Sequence, residues 1–286
     1  MTVGLLALLG EGVVDPAQPV LRADDLGLTR GDGCFEGLRV VRTADGCAVD
    51  KLDAHLARMA RSAASLQIRF DEVGWRELVA EACRAWTEPG EAAMKLVLTR
   101  GVPDSGRPTG LLTISPLPAD YLRQRRDGLR VVSLSRGTTA DAYRDAPWLL
   151  GGVKTLSYAV NMAAVRVAEE RGADEIIFVS ADGQVLESAV SAVVWSTDRM
   201  LYTTPTGPSG ILASTTQSLL FDRAAAAGWH TRVTNATLAD LHAADVLWLV
   251  GSVRGPVDVV ELDGKGRSRN AEIDAEIRAL VSFPPP

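Results

Sequence analysis

Lysine is scarce in this chain of 286 residues. Only Lys51, Lys95, Lys154 and Lys265 occur, and all the other basic residues among the thirty are arginine. Arginine keeps its proton in a protein, whereas lysine can lose it and become a nucleophile that forms Schiff bases. Each lysine in such a background therefore calls for a chemical reason. Cysteine and histidine are sparse as well. Cys34, Cys47 and Cys83 show neither CxxC nor Cys/His ligand spacing, and the histidines are His55, His230 and His242. That excludes a zinc ribbon and a His-rich centre, and no metal is expected. Sparse, odd-numbered thiols suit a reducing cytoplasm, the expected location.

Other absences narrow the class further. Net charge is −6, and no basic stripe with interleaved aromatics occurs, which argues against a nucleic-acid partner. The apolar opening at 1–9 has no basic region before it and meets Glu11 and Asp15 at once. It is too short for a membrane span and wrongly flanked for a signal peptide, so it reads as a first β-strand and no membrane partner is expected. No GxxxxGK[ST] loop occurs. The GDGCFEG segment at 31–37 misplaces the third glycine of a dinucleotide fingerprint and precedes a strand instead of opening a helix. With 47% hydrophobic and 23% charged residues, the chain sits among soluble globular proteins with ample core.

Periodicity predicts strands at 3–9, 35–42, 94–100 and 111–115. Between them, Leu52, Leu56, Met59, Ala63 and Leu66 form one apolar helical stripe, capped by Asp50 or Asp53, and a weaker helix follows at 73–86. A Pro- and Arg-rich stretch then breaks the pattern. The expected division is a smaller α/β domain over 1–118, a connection at 119–127 and a larger domain over 128–286. In the latter, strands are expected at 129–135, 175–180, 185–196, 200–204 and 246–250. Ala181-Asp182-Gly183-Gln184 joins two of them as a hairpin. Helices are expected at 158–171 and 215–227, each ended by a glycine, and the tail from Phe283 is expected to fray.

Lys154 lies in Gly151-Gly152-Val153-Lys154-Thr155-Leu156-Ser157-Tyr158, a Gly-Gly turn leading into a helical pattern. Glu187 lies in a run of apolar and small residues, VLESAVSAVVW, where an unpaired carboxylate is costly. The bland reading is an edge residue facing water. The other is a partner cation, for which a pyridinium N–H serves, and Ser188, Ala189, Ser191 and Ala192 leave room for a flat ring. Together Lys154 and Glu187 point to pyridoxal 5′-phosphate. Ser214, Thr215 and Thr216 open a helix after a Pro/Gly loop. They read as simple caps or, with Gly251-Ser252 after a strand, as an anion cradle of free N–H groups and hydroxyls. Arg58 alone reads as a solvated arginine; beside a phosphate its guanidinium becomes a natural partner.

These segments, taken in order, resemble the class IV pyridoxal-phosphate enzymes: branched-chain and D-amino-acid aminotransferases and 4-amino-4-deoxychorismate lyase. The resemblance is carried by GDGCFEG at 31–37, HLARMARSA at 55–63, KTLSYAVN at 154–161, Asp182-Gly183 followed by VLES, and ILASTTQ at 211–217. It implies an α+β fold of two domains, D-amino-acid aminotransferase-like, and a homodimer. It implies that Lys154 is the Schiff-base lysine and acid/base, that Glu187 partners the pyridine nitrogen, and that Tyr158 approaches the ring oxygen. It also implies that Arg58, Thr215, Thr216 and Ser252 hold the phosphate. GDGCF and KTLSYAVN, with Pro147-Trp148 before the latter, look most like actinobacterial lyases, which release pyruvate and 4-aminobenzoate, a folate precursor. FEGLR at 35–39 is close to the branched-chain aminotransferases, so transamination of D-amino or branched-chain amino acids with a keto acid stays open. Either substrate is a small amine bearing a carboxylate. Arg39 and Arg100 are the candidates to bind it, and at least one of them is expected to grip that group, because guanidinium matches it bidentately.

Overall fold

The computed structural model describes residues 3–284. The fold is α+β, in two compact units: Met1–Pro118 with Val153–Tyr158, and Ala119–Gly152 with Ala159–Pro286. Compared with the division expected from sequence, the first unit gains a short segment from far along the chain, and that segment carries Lys154.

Unit one contains β1 (Leu5–Leu8), β2 (Gly12–Val14), α1 (Leu26–Arg30), β3 (Gly33–Thr43), β4 (Gly46–Val49), α2 (Leu52–Ser65), α3 (Glu72–Ala85), β5 (Gly90–Thr99) and β6 (Thr109–Pro116). Its six strands form one antiparallel sheet in the order β2-β1-β6-β5-β3-β4. Strand alternation decides what faces the helices. Cys34, Leu38 and Val40 on β3, Met94, Leu96 and Leu98 on β5, and Leu112 and Ile114 on β6 join Leu56, Met59 and Ala63 of α2 and Trp75, Leu78 and Val79 of α3 in one core. Leu56, Met59 and Ala63 are fully buried, the stripe the spacing predicts. Each large side chain so buried contributes about 1.5–3 kcal/mol. The cap of α2 is not an aspartate. Lys51 occupies that position at φ 54° with no side-chain cap bond, because the Asp50 carboxylate is engaged by Arg39. α3 is capped as expected for such residues: Asp71 accepts from Gly74 N.

Unit two contains α4 (Ala119–Asp127), β7 (Leu129–Ser135), α5 (Ala159–Glu170), β8 (Glu175–Val179), β9 (Ala192–Thr197), β10 (Met200–Thr203), α6 (Thr215–Ala224), β11 (His230–Val233), α7 (Leu238–Ala243), β12 (Val246–Gly251), β13 (Gly255–Leu262), β14 (Lys265–Gly266) and α8 (Ala271–Leu280). The sheet runs β11-β10-β9-β12-β13-β7-β8, with β14 beside β13. β12 is central and buried along its whole length, which is why Val-Leu-Trp-Leu-Val reads as a continuous apolar run. Its Val246, Trp248 and Val250 pack with α6 and α8, and Leu247 and Leu249 pack on the opposite side.

Three expectations are corrected here. Residues 119–127 are helix α4, not a connection. The helix hides from a hydropathy reading because its buried positions are Gln124 and Arg125. Arg125 donates to the carbonyls of Arg254 (2.7 Å) and Val253 (2.8 Å) and lies over the Phe283 ring. Phe283 is accordingly buried, not frayed; Pro285 and Pro286 lie outside the described residues. The strand expected at 185–196 is regular only over β9. Residues 186–191 turn, with Ser188 N bonded to Ser191 O, where small residues interrupt the β-branched run.

Candidate functional site

In unit one, Val153–Tyr158 lies along the free edge of β3. Phe35 N donates to Lys154 O (3.1 Å), Leu156 N donates to Gly33 O (2.8 Å), and Cys34 and Thr155 form an antiparallel bridge. This explains a glycine of the GDG segment. A Cβ on Gly33 would meet Leu98 O at 2.5 Å and Leu156 Cδ1 at 2.7 Å, so no side chain fits where the segment docks. Lys154 N also donates to Ser62 Oγ (3.3 Å) on α2, one helical turn beyond Arg58. The Lys154 ammonium lies 4.5 Å from the Phe35 ring centroid and 5.5 Å from that of Tyr158, and the two rings meet edge-to-face at 5.1 Å.

Arg58 is not a solvated arginine. Its Nε and Nη2 donate to Glu36 Oε1 and Oε2, both at 2.7 Å, and His55 Nδ1 lies 2.7 Å from Oε2. Glu36 and His55 are fully buried and Arg58 nearly so. Burial pushes the Glu36 carboxyl up, but the hydrogen bonds from Arg58 and His55 and the Arg58 charge outweigh it and hold the group at about 2. Burial lowers the His55 imidazole against the pull of Glu36. A neutral His55 facing an ionised Glu36 carries its proton on Nδ1 and donates it.

Arg39 and Arg100 stand differently from what the sequence suggests. Arg39 is buried, with Nε on Glu91 (2.6 Å) and Nη1 on Asp50 (2.9 Å). Two carboxylates compensate one guanidinium, so this geometry speaks against Arg39 as the group that receives a further carboxylate. Arg100 pairs with Asp32 through Nε (2.5 Å) and Nη2 (3.1 Å), and donates to the carbonyls of Leu66 (2.7 Å) and Gln67 (3.3 Å). Its fork ties the GDG turn to the end of α2.

In unit two, the 181–184 turn forms as expected: Gly183 adopts φ 84°, Ser180 N bonds to Gln184 O, and Phe178 and Leu186/Glu187 pair across the hairpin at 2.8–2.9 Å. Glu187 sits half-buried on the returning arm, and its Oε2 accepts from Leu212 N (3.3 Å). The stretch containing Leu212 leads into α6, whose start is capped by Ser214, accepting from Gln217 N. There three hydroxyls converge. Ser252 Oγ is 3.1 Å from Thr215 Oγ1 and 3.2 Å from Thr216 Oγ1, and Thr216 is fully buried. Ser252 reaches them from the turn after β12, whose carbonyls Arg125 grips. Hydroxyls gathered on the positive end of a ten-residue helix could hold an anion such as a phosphate.

Sequence reasoning missed Glu36 and His55. Glu36 shares the strand phase of Leu38 and Val40, and His55 stands three residues before Arg58 on a helix; those phases were the available signal.

The family profile described as Amino-transferase class IV matches residues 33–262, and the chain belongs to that family. Pyridoxal 5′-phosphate is the family's cofactor. The residues fit it chemically: a lysine amine at 154, a carboxylate at 187, and a hydroxyl-lined helix start for its phosphate. The chain is 39% identical, over 97% of its length and 99% of the relative's, to a Mycobacterium tuberculosis protein named bifunctional aminodeoxychorismate lyase / D-amino acid transaminase. Two solved structures of a hypothetical aminotransferase from M. tuberculosis match with a TM-score of 0.92. One, with α-ketoglutarate and PMP bound, is 40% identical and covers 98% of this chain and 99% of that one. The other, PLP-bound, is 38% identical and covers 97% of each.

Proposed function

We propose that this protein is a pyridoxal-phosphate lyase that converts 4-amino-4-deoxychorismate to 4-aminobenzoate and pyruvate, and that the same residues transaminate D-amino acids. The observation that carries the reading is near full-length similarity to a protein named for both activities, together with Lys154, Glu187 and the Thr215/Thr216/Ser252 cluster in one chain. When bound, the cofactor supplies an aldehyde that condenses with amines and a ring that takes up electrons. Lys154 Nζ is its covalent anchor and, once displaced by substrate, takes the proton from the carbon bearing the substrate nitrogen. Glu187 holds the positive charge on the pyridine nitrogen. Thr215, Thr216 and Ser252 hold the phosphate, with Arg58 as a further cation toward it. Tyr158 borders the Lys154 amine.

The two outcomes diverge after that proton transfer. In the lyase, the ring C–O bond would break, the enolpyruvate would leave and take up a proton to become pyruvate, and the ring would become aromatic. In the transaminase, Lys154 would instead return the proton to the cofactor side, and water would cleave the carbon–nitrogen bond to release a keto acid. The test follows from stoichiometry. Aminodeoxychorismate alone is expected to give pyruvate and 4-aminobenzoate in equal amounts over many turnovers. D-Alanine alone is expected to stop after one equivalent until 2-oxoglutarate is added. No turnover of aminodeoxychorismate alongside sustained D-alanine transamination would leave only the transaminase.

The same reading includes a homodimer. Trp148 is 74% exposed, and Leu149 and Val160 are exposed as well; large apolar side chains left open to solvent suit burial against a second copy. Light scattering is expected to give twice the chain mass.

A further inference from the structure

Unit two buries an arginine in a turn. Ser252, Val253 and Arg254 join β12 to β13 between the paired Gly251 and Gly255. Arg254 is 5% exposed, and its ion-pair partner Glu175, at the start of β8, is 2% exposed. Nη2 of Arg254 donates to Glu175 Oε2 (3.2 Å) and to Ser191 Oγ (3.1 Å), and Nη1 donates to Gln124 Oε1 (3.2 Å) on α4. The backbone of the same turn is gripped by Arg125 through the Val253 and Arg254 carbonyls.

Charge balance explains only one of these contacts. Glu175 alone neutralises the guanidinium, and a buried ion pair adds little stability over apolar side chains of the same size. The bond to Ser191 does something else: it ties the Ser252 turn to the turn that follows Glu187. Ser191 is itself fixed there, since its carbonyl accepts from Ser188 N (2.9 Å) and Asn161 of α5 donates to the Ala189 carbonyl (2.7 Å). The two turns are also in contact range, because a Cβ on Gly251 would meet Ser191 Oγ at 3.1 Å. Arg254 is thus anchored by Gln124 and Glu175 on one side and by Ser191 on the other. Ser252, on the same turn, is the residue whose hydroxyl reaches both Thr215 Oγ1 and Thr216 Oγ1. A hydroxyl carried by a short turn stands where the supporting hydrogen bonds put it.

We infer that Arg254 is a positioning residue for cofactor binding: it holds Ser252 where its hydroxyl meets the phosphate, with the turn after Glu187 as its anchor. The inference rests on the phosphate role proposed above for Ser252. Arg254 itself is engaged by three side chains and acts only through the turn it belongs to.

The experiment is a double-mutant cycle on the full chain, read as the Kd of pyridoxal 5′-phosphate from fluorescence titration. Arg254→Met is combined with Glu175→Gln, so that no buried carboxylate is left unpaired, and the combination is measured with Ser252 intact and in Ser252→Ala. With Ser252 intact, Kd is expected to rise about tenfold, the size of one hydrogen bond to a charged group. In the Ser252→Ala background the same change is expected to shift Kd by less than about twofold, because the hydroxyl that Arg254 places is already gone. Pyridoxal, which lacks the phosphate, is expected to bind wild type and the combination with similar affinity. The urea midpoint of the apoprotein is expected to stay near that of wild type, as loss of both members of a buried pair allows. An equal loss of affinity in both backgrounds would make Arg254 a general structural residue and overturn the inference. If Ser252→Ala alone leaves Kd unchanged, the phosphate role of Ser252 fails and the inference falls with it. If Ser252→Ala weakens binding and the Arg254 combination does not, the functional reading stands and only the inference is lost. Should the combination not fold, Ser191→Ala, which cuts the anchor and keeps the Arg254–Glu175 pair, repeats the cycle under the same criteria.

Discussion

Unit one buries ions, whereas the start of α6 in unit two buries dipoles. In the first, Glu36, His55 and Arg58 are sealed behind the sheet, and each Glu36 oxygen is met by a donor at 2.7 Å. In the second, Thr215, Thr216 and Ser252 share hydroxyl contacts at 3.1–3.2 Å without a formal charge. A buried ion is tolerated only while its partners are present, so the first cluster is all-or-none. Hydroxyls cost little to desolvate when paired and can lose one member gradually. The comparison predicts that the Glu36–His55–Arg58 cluster answers mutation through folding, and the α6 cluster through affinity alone.

The largest effect lies in unit one, at Lys154, and tests whether chemistry there separates from stability. Lys154→Ala removes the covalent anchor and the base in one change. Loss of the general base alone costs roughly 10²–10⁴ in kcat, and loss of the nucleophile adds to it. Cofactor is expected to stay bound noncovalently, and melting of the apoprotein to be little changed, because the segment is held by the backbone bonds of Lys154 and Leu156. Borohydride reduction of wild type should fix the cofactor on Lys154; a label on Lys51, Lys95 or Lys265 would falsify the assignment.

Glu36→Gln comes next and should act through stability, lowering the urea midpoint. Removing one member of a buried ion pair costs about 3–5 kcal/mol. The pH dependence has a definite sign. Glu36 drops from 4.5 to about 2 on folding, so its contribution is complete above about pH 4.5 and is lost as pH falls toward 2. His55, lowered from 6.5, adds a loss in the same direction that begins below pH 6.5. Urea titrations of wild type from pH 7 to 3 are expected to show falling stability, with a shallower fall in Glu36→Gln. Equal slopes would place the acid sensitivity elsewhere.

Much of this organisation is legible in the sequence, and the gaps have physical causes. The α2 stripe and the β3, β5 and β12 runs follow from period and burial, which sequence records directly. The hairpin carrying Glu187 is written in Asp182-Gly183, and the capped start of α6 in Ser214-Thr215-Thr216. What is not written is non-local. Nothing near Lys154 says that 153–158 joins the edge of β3; only Gly33, bare so that Leu156 can approach, hints at it. α4 stayed hidden because its buried face uses Gln124 and the guanidinium of Arg125. Arg39 and Arg100 suggested substrate binding because a sequence shows a charge without its counterions, and Asp50, Glu91 and Asp32 supply them only in the fold.

The smallest effects sharpen the comparison most. Thr216→Val preserves shape and removes one hydroxyl; Ser252 retains Thr215 at 3.1 Å. A neutral hydrogen bond contributes about 1 kcal/mol, so cofactor Kd is expected to rise roughly fivefold, with no change in melting beyond about 1 kcal/mol. Arg58→Ala removes a charged partner, worth about 1.5–3 kcal/mol, and should weaken cofactor binding roughly 10- to 100-fold. It also strands Glu36, fully buried and still hydrogen-bonded to His55, so it should destabilise the apoprotein as Thr216→Val does not. The discriminating measurement is the pair of quantities for both variants: cofactor Kd from fluorescence titration and urea midpoint of the apoprotein. Affinity and stability falling together for Arg58→Ala, but affinity alone for Thr216→Val, is the pattern of ions in one unit and dipoles in the other. An Arg58→Ala variant with wild-type cofactor affinity and a lowered midpoint would make Arg58 a purely structural partner of Glu36, leaving the phosphate to the hydroxyls and helix start of α6.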